Sequence, residues 1–470
     1  MLKNHLLISS MCVAMLYSVS YAENVQSESE KKVVPRPLTQ PSDLAAVKRR
    51  VELLDFLQKA YDTNPELLSA RYARNAKEAE MLGVMSRFGP NVKLMATAGH
   101  DRSKGVGKNF SEQLESFRDT DYDVKGEVVA NINLFRCGSD TFAMMAGAAN
   151  QDVYDVEQAA VIQKFILDAV EAYVDVKKRR QELDVFTKFE RQARHNFERV
   201  QTEYVVGSST RTNVLTAKAE LAEATSKRTK AQTELINAEQ SYIAMSGEPA
   251  GELVYPTNTL RLPISLEESM KLAEERSLTL RKGAASLRAA RYGLASAVTD
   301  TLPSIDLYAQ YDTSLKNEDV NQGGTGQVGI RFSYELFSNS GQGSHLSKIK
   351  QATNRKQSAN YGHEHARNHM IKEVKAAWHG LKAAETQRSQ AELAVEAARN
   401  AYEGAVEEFR LGQRAYLDLL KVQEQLLKAE LNYLEAVKAE ILGRYKLLAS
   451  TGGLTPSAVG LVLNERDEEV

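Results

Sequence analysis

The chain reads twice, and this doubling constrains its fold more than any other feature. Residues 51–250 return as residues 264–453, landmark for landmark. Pro90, Val92 and Leu94 reappear 213 positions on as Pro303, Ile305 and Leu307, and Leu134 and Phe135 reappear 202 positions on as Leu336 and Phe337. Ala172, Tyr173, Tyr204, Gly207, Leu215, Leu221, Ser246 and Gly247 map at a constant 205 onto Ala377, Trp378, Phe409, Gly412, Leu420, Leu426, Thr451 and Gly452. A separation that does not drift over about 75 residues admits no insertion, as expected of a long helical hairpin whose register cannot slip. The unit is too long for a solenoid repeat, so each copy is half of a pseudo-symmetric whole.

The N-terminus points out of the cytoplasm. Lys3, the mostly apolar run from Leu6 to Val19 and the small residues Ser20 and Ala22 make residues 1–22 a secretory signal peptide. A short membrane anchor is the competing reading, but the run falls below the ~20 residues of a spanning helix, and no other stretch is apolar enough to span as one. Cys12 lies inside the signal, so Cys137 is the only cysteine of the exported chain and no intrachain disulfide is expected. With a formal net charge of −2 the chain lacks the basic footprint of a nucleic-acid binder. Residues 23–50, with Pro35, Pro37 and Pro41, read as an extended leader, 251–263 as a linker, and 454–470 as a polar C-terminal tail.

Each half opens with a broken helix. In the first, Asn64-Pro65 interrupts a helix that starts near Val51 and restarts it as far as Phe88, since Asn caps and Pro suits a first helical turn. In the second, Ser265-Leu266-Glu267-Glu268 is a capping-box pattern and the restart falls at Ser277. After Pro90 and Pro303 the period changes from helical to two, giving a hairpin at about 91–135 and another at about 304–337. Val92, Leu94, Ala96 and Ala98, then Val124, Val128 and Ile132, share one face, with Lys93, Lys125, Glu127 and Asn131 on the other. Ile305, Leu307 and Ala309, then Val328, Ile330 and Phe332, repeat the pattern against Asp306, Gln310, Asp312 and Arg331. Runs of roughly 9–12 residues suit tilted membrane strands with lipid outside and water inside. Soluble hairpins with one face on a core would also alternate. Polar segments from Asp101 to Asp121 and from Thr313 to Gly326 read as the hairpin loops, the first longer by 11 residues.

From Gly138 to Val205 no proline interrupts a helical pattern of about 67 residues, roughly 100 Å at 1.5 Å per residue. Its copy runs from Gly343 to Leu411. Gly207 and Gly412 sit at turns, followed by helices from Thr212 to Met245 and from Tyr416 to Leu448. Abundant alanine, including Ala217, Ala224 and Ala231, predicts close helix packing in coiled-coil hairpins. Four strands cannot close a barrel, and open sheet edges are not tolerated in lipid, so several chains must pool their strands. Three would give twelve.

In its paired repeat, Asn64-Pro65-Glu66-Leu67, the strand starts at Pro90 and Pro303, and the turns Tyr204-Val205-Val206-Gly207 and Phe409-Arg410-Leu411-Gly412, the sequence resembles the TolC-like outer-membrane efflux protein family over nearly all of residues 51–453. The resemblance implies an α+β membrane protein: a homotrimer with a twelve-stranded β-barrel in outer-membrane lipid, continued by a periplasmic coiled-coil barrel of α-helices. It implies a passive duct that takes its energy from an inner-membrane pump, ABC-type or proton-driven, through a periplasmic adaptor (membrane fusion) protein. Carried over residue by residue, Val206, Gly207, Ser208, Ser209, Leu411, Gly412 and Gln413 become adaptor-docking tips. Phe409, Arg414 and Asp418 match three places of the family's periplasmic gate, while Asn213 and Lys421 stand where aspartates are found. Read without the resemblance, Arg414 and Asp418 are an i,i+4 surface pair and the glycines simply permit tight reversals.

Other constellations carry less. His363, His365 and His369 cluster on one helix, but Arg367 breaks the zincin order and a solvated face is the expected reading. Lys104-Gly105-Val106-Gly107-Lys108 is too short for a phosphate loop. No nucleophile lies near a base, so neither enzyme activity nor a cofactor is expected. A periplasmic coiled-coil scaffold without a pore remains the alternative.

Overall fold

The computed structural model describes residues 50–108, 114–256, 260–316, 323–335 and 345–461. The signal peptide, the leader up to residue 49, Leu336, Phe337 and residues 462–470 lie outside them. Both halves run through the same elements. The first holds β1 (Arg50–Val51), α1 (Leu53–Thr63), α2 (Pro65–Met85), β2 (Asn91–Lys108), β3 (Leu114–Phe135), α3 (Ser139–Val205) and α4 (Arg211–Ser246). After β4 (Glu252–Leu253) come α5 (Leu266–Arg276), α6 (Leu278–Thr299), β5 (Ser304–Lys316), β6 (Gly323–Ser333), α7 (His345–Arg410) and α8 (Tyr416–Ser450).

The helix starts follow the local chemistry. The Asn64 side chain accepts from the Glu66 amide at 2.8 Å, with Pro65 at the first helical position. Ser265 Oγ accepts from the Glu268 amide at 3.1 Å, and the Glu268 carboxylate accepts from the Ile264 amide at 2.7 Å, closing the capping box one residue before the cap.

The two hairpins join into one antiparallel sheet in the order β2-β3-β5-β6. Its ladders put all four alternating patterns in phase: Leu94 lies opposite Val128 and Val128 opposite Tyr311, while Ala130 pairs with Ala309 and Ala309 with Val328. Among the described residues no helix covers the apolar face of β6, whose Val328, Ile330 and Phe332 are 77%, 69% and 68% exposed. On the opposite face Gln310 Nε2 donates to Glu127 at 3.1 Å, and the Arg331 guanidinium lies 4.6 Å over the Tyr308 ring. Tyr308 pairs with Gly329, where an added Cβ would stand 2.9 Å from the tyrosine oxygen.

The strands correct the expected loops. Pairing continues without interruption to Lys108 opposite Leu114, through most of the segment read as a loop from Asp101 to Asp121, and β5 and β6 likewise extend to Lys316 and back to Gly323. An antiparallel ladder is held by backbone groups, so it outlasts the apolar alternation that the membrane imposes.

The long helices pack on a seven-residue beat. Ala217, Ala224, Ala231 and Ala238 form a buried ladder on α4. On α8, Leu427, Leu434 and Leu448 are buried, and Leu420 and Ile441 between and before them are partly buried against the core. A strict heptad winds helices into a left-handed supercoil. Phe189 and Ala193 of α3, Ala224 of α4 and Leu427 of α8 meet in one cluster, so the two hairpins lie against each other along their length.

The largest core sits where α1 crosses α3 and α4. Tyr173 is fully buried there; its hydroxyl donates to the Val254 carbonyl at 2.7 Å and accepts from the Val254 amide at 3.1 Å. Phe56 stacks on Tyr242 at 4.3 Å. Two segments read as connectors belong to this core. Leu253 in the linker is buried and carries β4, paired in parallel with β1; Leu454 and Leu461, at the start of the expected polar tail, are buried with it.

Replacing Ala224 by Leu is expected to overpack the shared face and destabilise the fold by about 1–3 kcal/mol, seen as a lower melting temperature of the detergent-solubilised protein with its helix content retained.

Candidate functional site at the hairpin tips

Both long hairpins reverse by the same device. At the first, Gly207 (φ 78°) donates to the Tyr204 carbonyl at 3.0 Å and Ser208 to the Glu203 carbonyl at 2.8 Å. At the second, Gly412 (φ 72°) donates to Phe409 at 3.0 Å and Gln413 to Glu408 at 2.9 Å. These paired bonds are Schellman motifs, in which a left-handed residue ends the helix and glycine adopts it without steric cost. The turn frees apolar side chains to point outward: Val205, Val206 and Leu411 are exposed. Ser208 turns its hydroxyl back to the Glu203 carbonyl at 2.9 Å.

Just past the turns the halves differ. Thr210 caps α4 by accepting from the Asn213 amide at 3.2 Å, and Asn213 Nδ2 donates to Ser209 Oγ at 3.3 Å. Ala415 precedes α8 and offers no side-chain cap. The expected Arg414–Asp418 pair does not form, because Arg414 lies ahead of the helix rather than one turn into it. Its Nε reaches back 2.7 Å to Glu408, and Asp418 takes Lys421 at 3.1 Å. Within one chain Asn213, Arg414 and Asp418 therefore each bond locally.

Phe409 is the gate candidate that the fold draws into a cluster. It packs with Phe197, Val200, Val214, Ala217, Tyr416 and Leu420, joining the two tips. Its ring lies 6.0 Å from that of Tyr416, and the Arg199 guanidinium stands 4.4 Å over it. Arg199 and its neighbour Glu220 were not singled out by sequence, being one arginine and one glutamate among many on charged helices. Burial pushes the Glu220 carboxyl up to about 7, Glu223 and Glu424 adding to the rise and Lys227 opposing it. Burial also raises Tyr416, with the Glu220 charge adding and Arg199 opposing.

The histidine cluster divides. His365 and His369 are exposed with ring centroids 6.1 Å apart, whereas His363 packs beside Gly283 of α6. Among the described residues no group of three His, Cys, Asp or Glu side chains is placed to hold a metal. No described helix is long and apolar enough to cross a membrane.

A family model for outer membrane efflux proteins matches residues 56–248 and 270–453, the two repeats. The chain belongs to the outer membrane efflux protein family. It is 25% identical over 416 residues to the outer membrane efflux protein BepC of Brucella suis, with 87% of each chain covered. It is also 25% identical over 427 residues to the outer membrane protein TolC of Vibrio cholerae, covering 87% of this chain and 92% of that one. The alkaline protease secretion protein AprF of Pseudomonas aeruginosa is 24% identical over 420 residues, covering 86% and 85%. The Campylobacter jejuni CmeC outer membrane channel shares the fold, with a TM-score of 0.74 over 90% of each chain at 16% identity. As a member of this family the chain is an outer-membrane export channel, and its family is one of channels rather than enzymes. The exposed apolar face of the four-stranded sheet is its lipid face, and the long helices lie in the periplasm.

Because Glu220's folded-state value lies above the ordinary glutamate range, its stabilisation is present at acidic pH and is lost as pH rises towards about 7. Amide protection factors around 196–222, corrected for intrinsic exchange, are expected to fall between about pH 5.5 and pH 8, and Glu220→Gln is expected to flatten that fall.

Proposed function

We propose that three copies assemble head to tail into a channel that docks its hairpin tips on a periplasmic adaptor and receives substrate from an inner-membrane pump. One observation carries the assembly. The chain makes each of its half-to-half contacts once and leaves the pseudo-symmetric counterpart unmade. β3 pairs with β5, and α3 packs on α6 and on α8. The counterparts, β6 with β2, α7 with α2 and α7 with α4, form no comparable contact among the described residues. A surface that is complementary to another surface of the same chain builds a ring when the rotation closes. Three copies then supply twelve strands, an even number within the range of outer-membrane barrels.

The exposed Val205, Val206 and Leu411 at the glycine turns support docking, since apolar groups held out at a helical tip seek a partner's apolar face. The gate reading rests on the match of Phe409, Arg414 and Asp418, with Asn213, to the family's gate positions, and on their place just beside those turns. Cargo follows from the relatives only in outline: one is named for alkaline protease secretion and another for efflux, so both a secreted protein and small molecules fit a duct of this design.

Chemical crosslinking of membrane-extracted protein is expected to stop at three chains; a monomer in every mild detergent counts against the ring. Arg414→Ser is expected to raise single-channel conductance in a planar bilayer, and unchanged conductance together with unchanged drug leakage counts against the gate. A deletion strain assayed for a missing large secreted protein and for drug or bile tolerance separates the cargoes.

A further inference from the structure

Where α6 begins, a cleft of about 520 Å³ separates the two halves of one chain. Ala160 and Lys164 of α3 line one side, and Thr279 of α6 and Glu373 of α7 the other. Farther along the same contact Lys282 pairs with Glu157 at 2.9 Å and Arg288 with Asp152 at 2.6 Å. In those two pairs the acid is on α3 and the base on α6, whereas at the cleft the base, Lys164, is on α3 and the acid, Glu373, is on α7.

The internal repeat carries this geometry to the open faces. At the 205-residue offset of the long helices, Ala160 and Lys164 become His365 and His369, and Glu373 becomes Asp168. At the 213-residue offset of the short helices, Thr279 becomes Glu66. His365 and His369 are exposed on α7; Glu66 is exposed at the start of α2, and Asp168 is half-buried on α3. We infer that these groups form a seam between adjoining copies, His365 and His369 of one copy against Glu66 and Asp168 of the next, which tightens on acidification. The inference rests on the ring assembly proposed above.

The basic partner differs between the two versions of the contact. Lysine is charged throughout the physiological range, whereas histidine gains its charge within it, so only the seam between copies responds to pH. On α7, His369 Nδ1 lies 3.2 Å from Glu373, which leaves Nε2 for the adjoining copy; Arg367 pairs with Glu274 at 3.9 Å, and Lys372 is exposed. On the opposing face stand Glu66, Lys164, Asp168 and Glu171, with Glu171 3.5 Å from Lys438. Burial raises the Asp168 carboxyl, Lys164 opposes the rise, and Glu171 and Glu66 add to it, so this face gains from cations placed across from it. The matching positions on α4, Ser241, Ala244 and Met245, carry no charge.

The test uses the full chain in membranes. Asp168→Cys with His369→Cys, in a Cys137→Ser background, is expected to give disulfide-linked species of two and three chains on copper–phenanthroline oxidation. The internal counterpart, Lys164→Cys with Glu373→Cys, is expected to stay at the mass of one chain. Amine crosslinking of the wild type reports assembly separately. Trimers there without disulfide-linked multimers overturn the seam; monomers there overturn the ring on which it rests. The wild-type trimer is also expected to survive several-fold longer in destabilising detergent at about pH 5.5 than at about pH 8. In a Glu220→Gln background, which removes the pH response at the tips, that difference is expected to vanish in His365→Gln/His369→Gln, and its persistence overturns the histidines' role.

Discussion

The edges of the four-stranded sheet govern everything else. Among the described residues β2 and β6 each present a row of backbone N–H and C=O groups with no strand beside them, and in hydrocarbon each such group costs several kcal/mol because no water can satisfy it. Among the described residues nothing pairs these edges, and the ring proposed above satisfies them by setting β6 of one copy against β2 of the next. Once the strands continue around a ring, the helices attached to them must continue as well. The chain's internal contacts, α3 on α6 and α3 on α8, show how one half meets the next.

The ring also sets the helix chemistry. Neighbouring strands stand about 4.8 Å apart and neighbouring helices about 8–10 Å, so a helical wall hung from a strand barrel is wide unless its helices pack at the low end of that range. Alanine is the side chain that permits this. The buried ladder Ala217, Ala224, Ala231 and Ala238 brings α4 close to α3, while the larger Leu427 and Leu431 of α8 fill the space between hairpins. Ion pairs cross the same contact: Lys178 bonds both Glu182 on its own helix and Glu435 on α8, and Lys438 bonds Asp175 at 2.7 Å. Breaking one member of such a partly buried set leaves the other uncompensated, which favours a single register between the hairpins.

The long elements were legible because their signals are redundant. A constant offset of 205 and unbroken helical periodicity placed α3 and α7 within a residue or two of their described ends. Alternation placed the sheet's two faces, and the ladders put all four patterns in phase. What escaped was whatever lacks a period. The strand extensions beyond Asp101 rest on backbone pairing alone. Leu253, Leu454 and Leu461 are isolated apolar residues in short connectors, and only the fold brings them to Tyr173's core. Arg199 and Glu220 owe their character to a second hairpin that lies about 200 residues away in sequence. The Arg414–Asp418 spacing misled for a local reason: an i,i+4 pair needs both residues in the helix, and α8 begins after Arg414.

That last point bears on where a channel of this kind can move. The first tip is fixed by neutral hydrogen bonds, with Thr210 capping α4 and Asn213 tied to Ser209. Losing such a cap costs about 1 kcal/mol, and the second tip never has one. α8 starts from Ala415, held instead by charge: Arg414 to Glu408 before the turn and Asp418 to Lys421 after it. Exposed ion pairs of this sort are worth less than a cap and exchange readily for a new partner of the right sign. Phe409 and Tyr416, tilted against each other beneath them with Arg199 over the Phe409 ring, help anchor the second tip to the first. The hairpin that carries Arg414 is therefore the one whose end turns on charge, with Glu408, Asp418 and Glu407 the carboxylates paired to its basic groups.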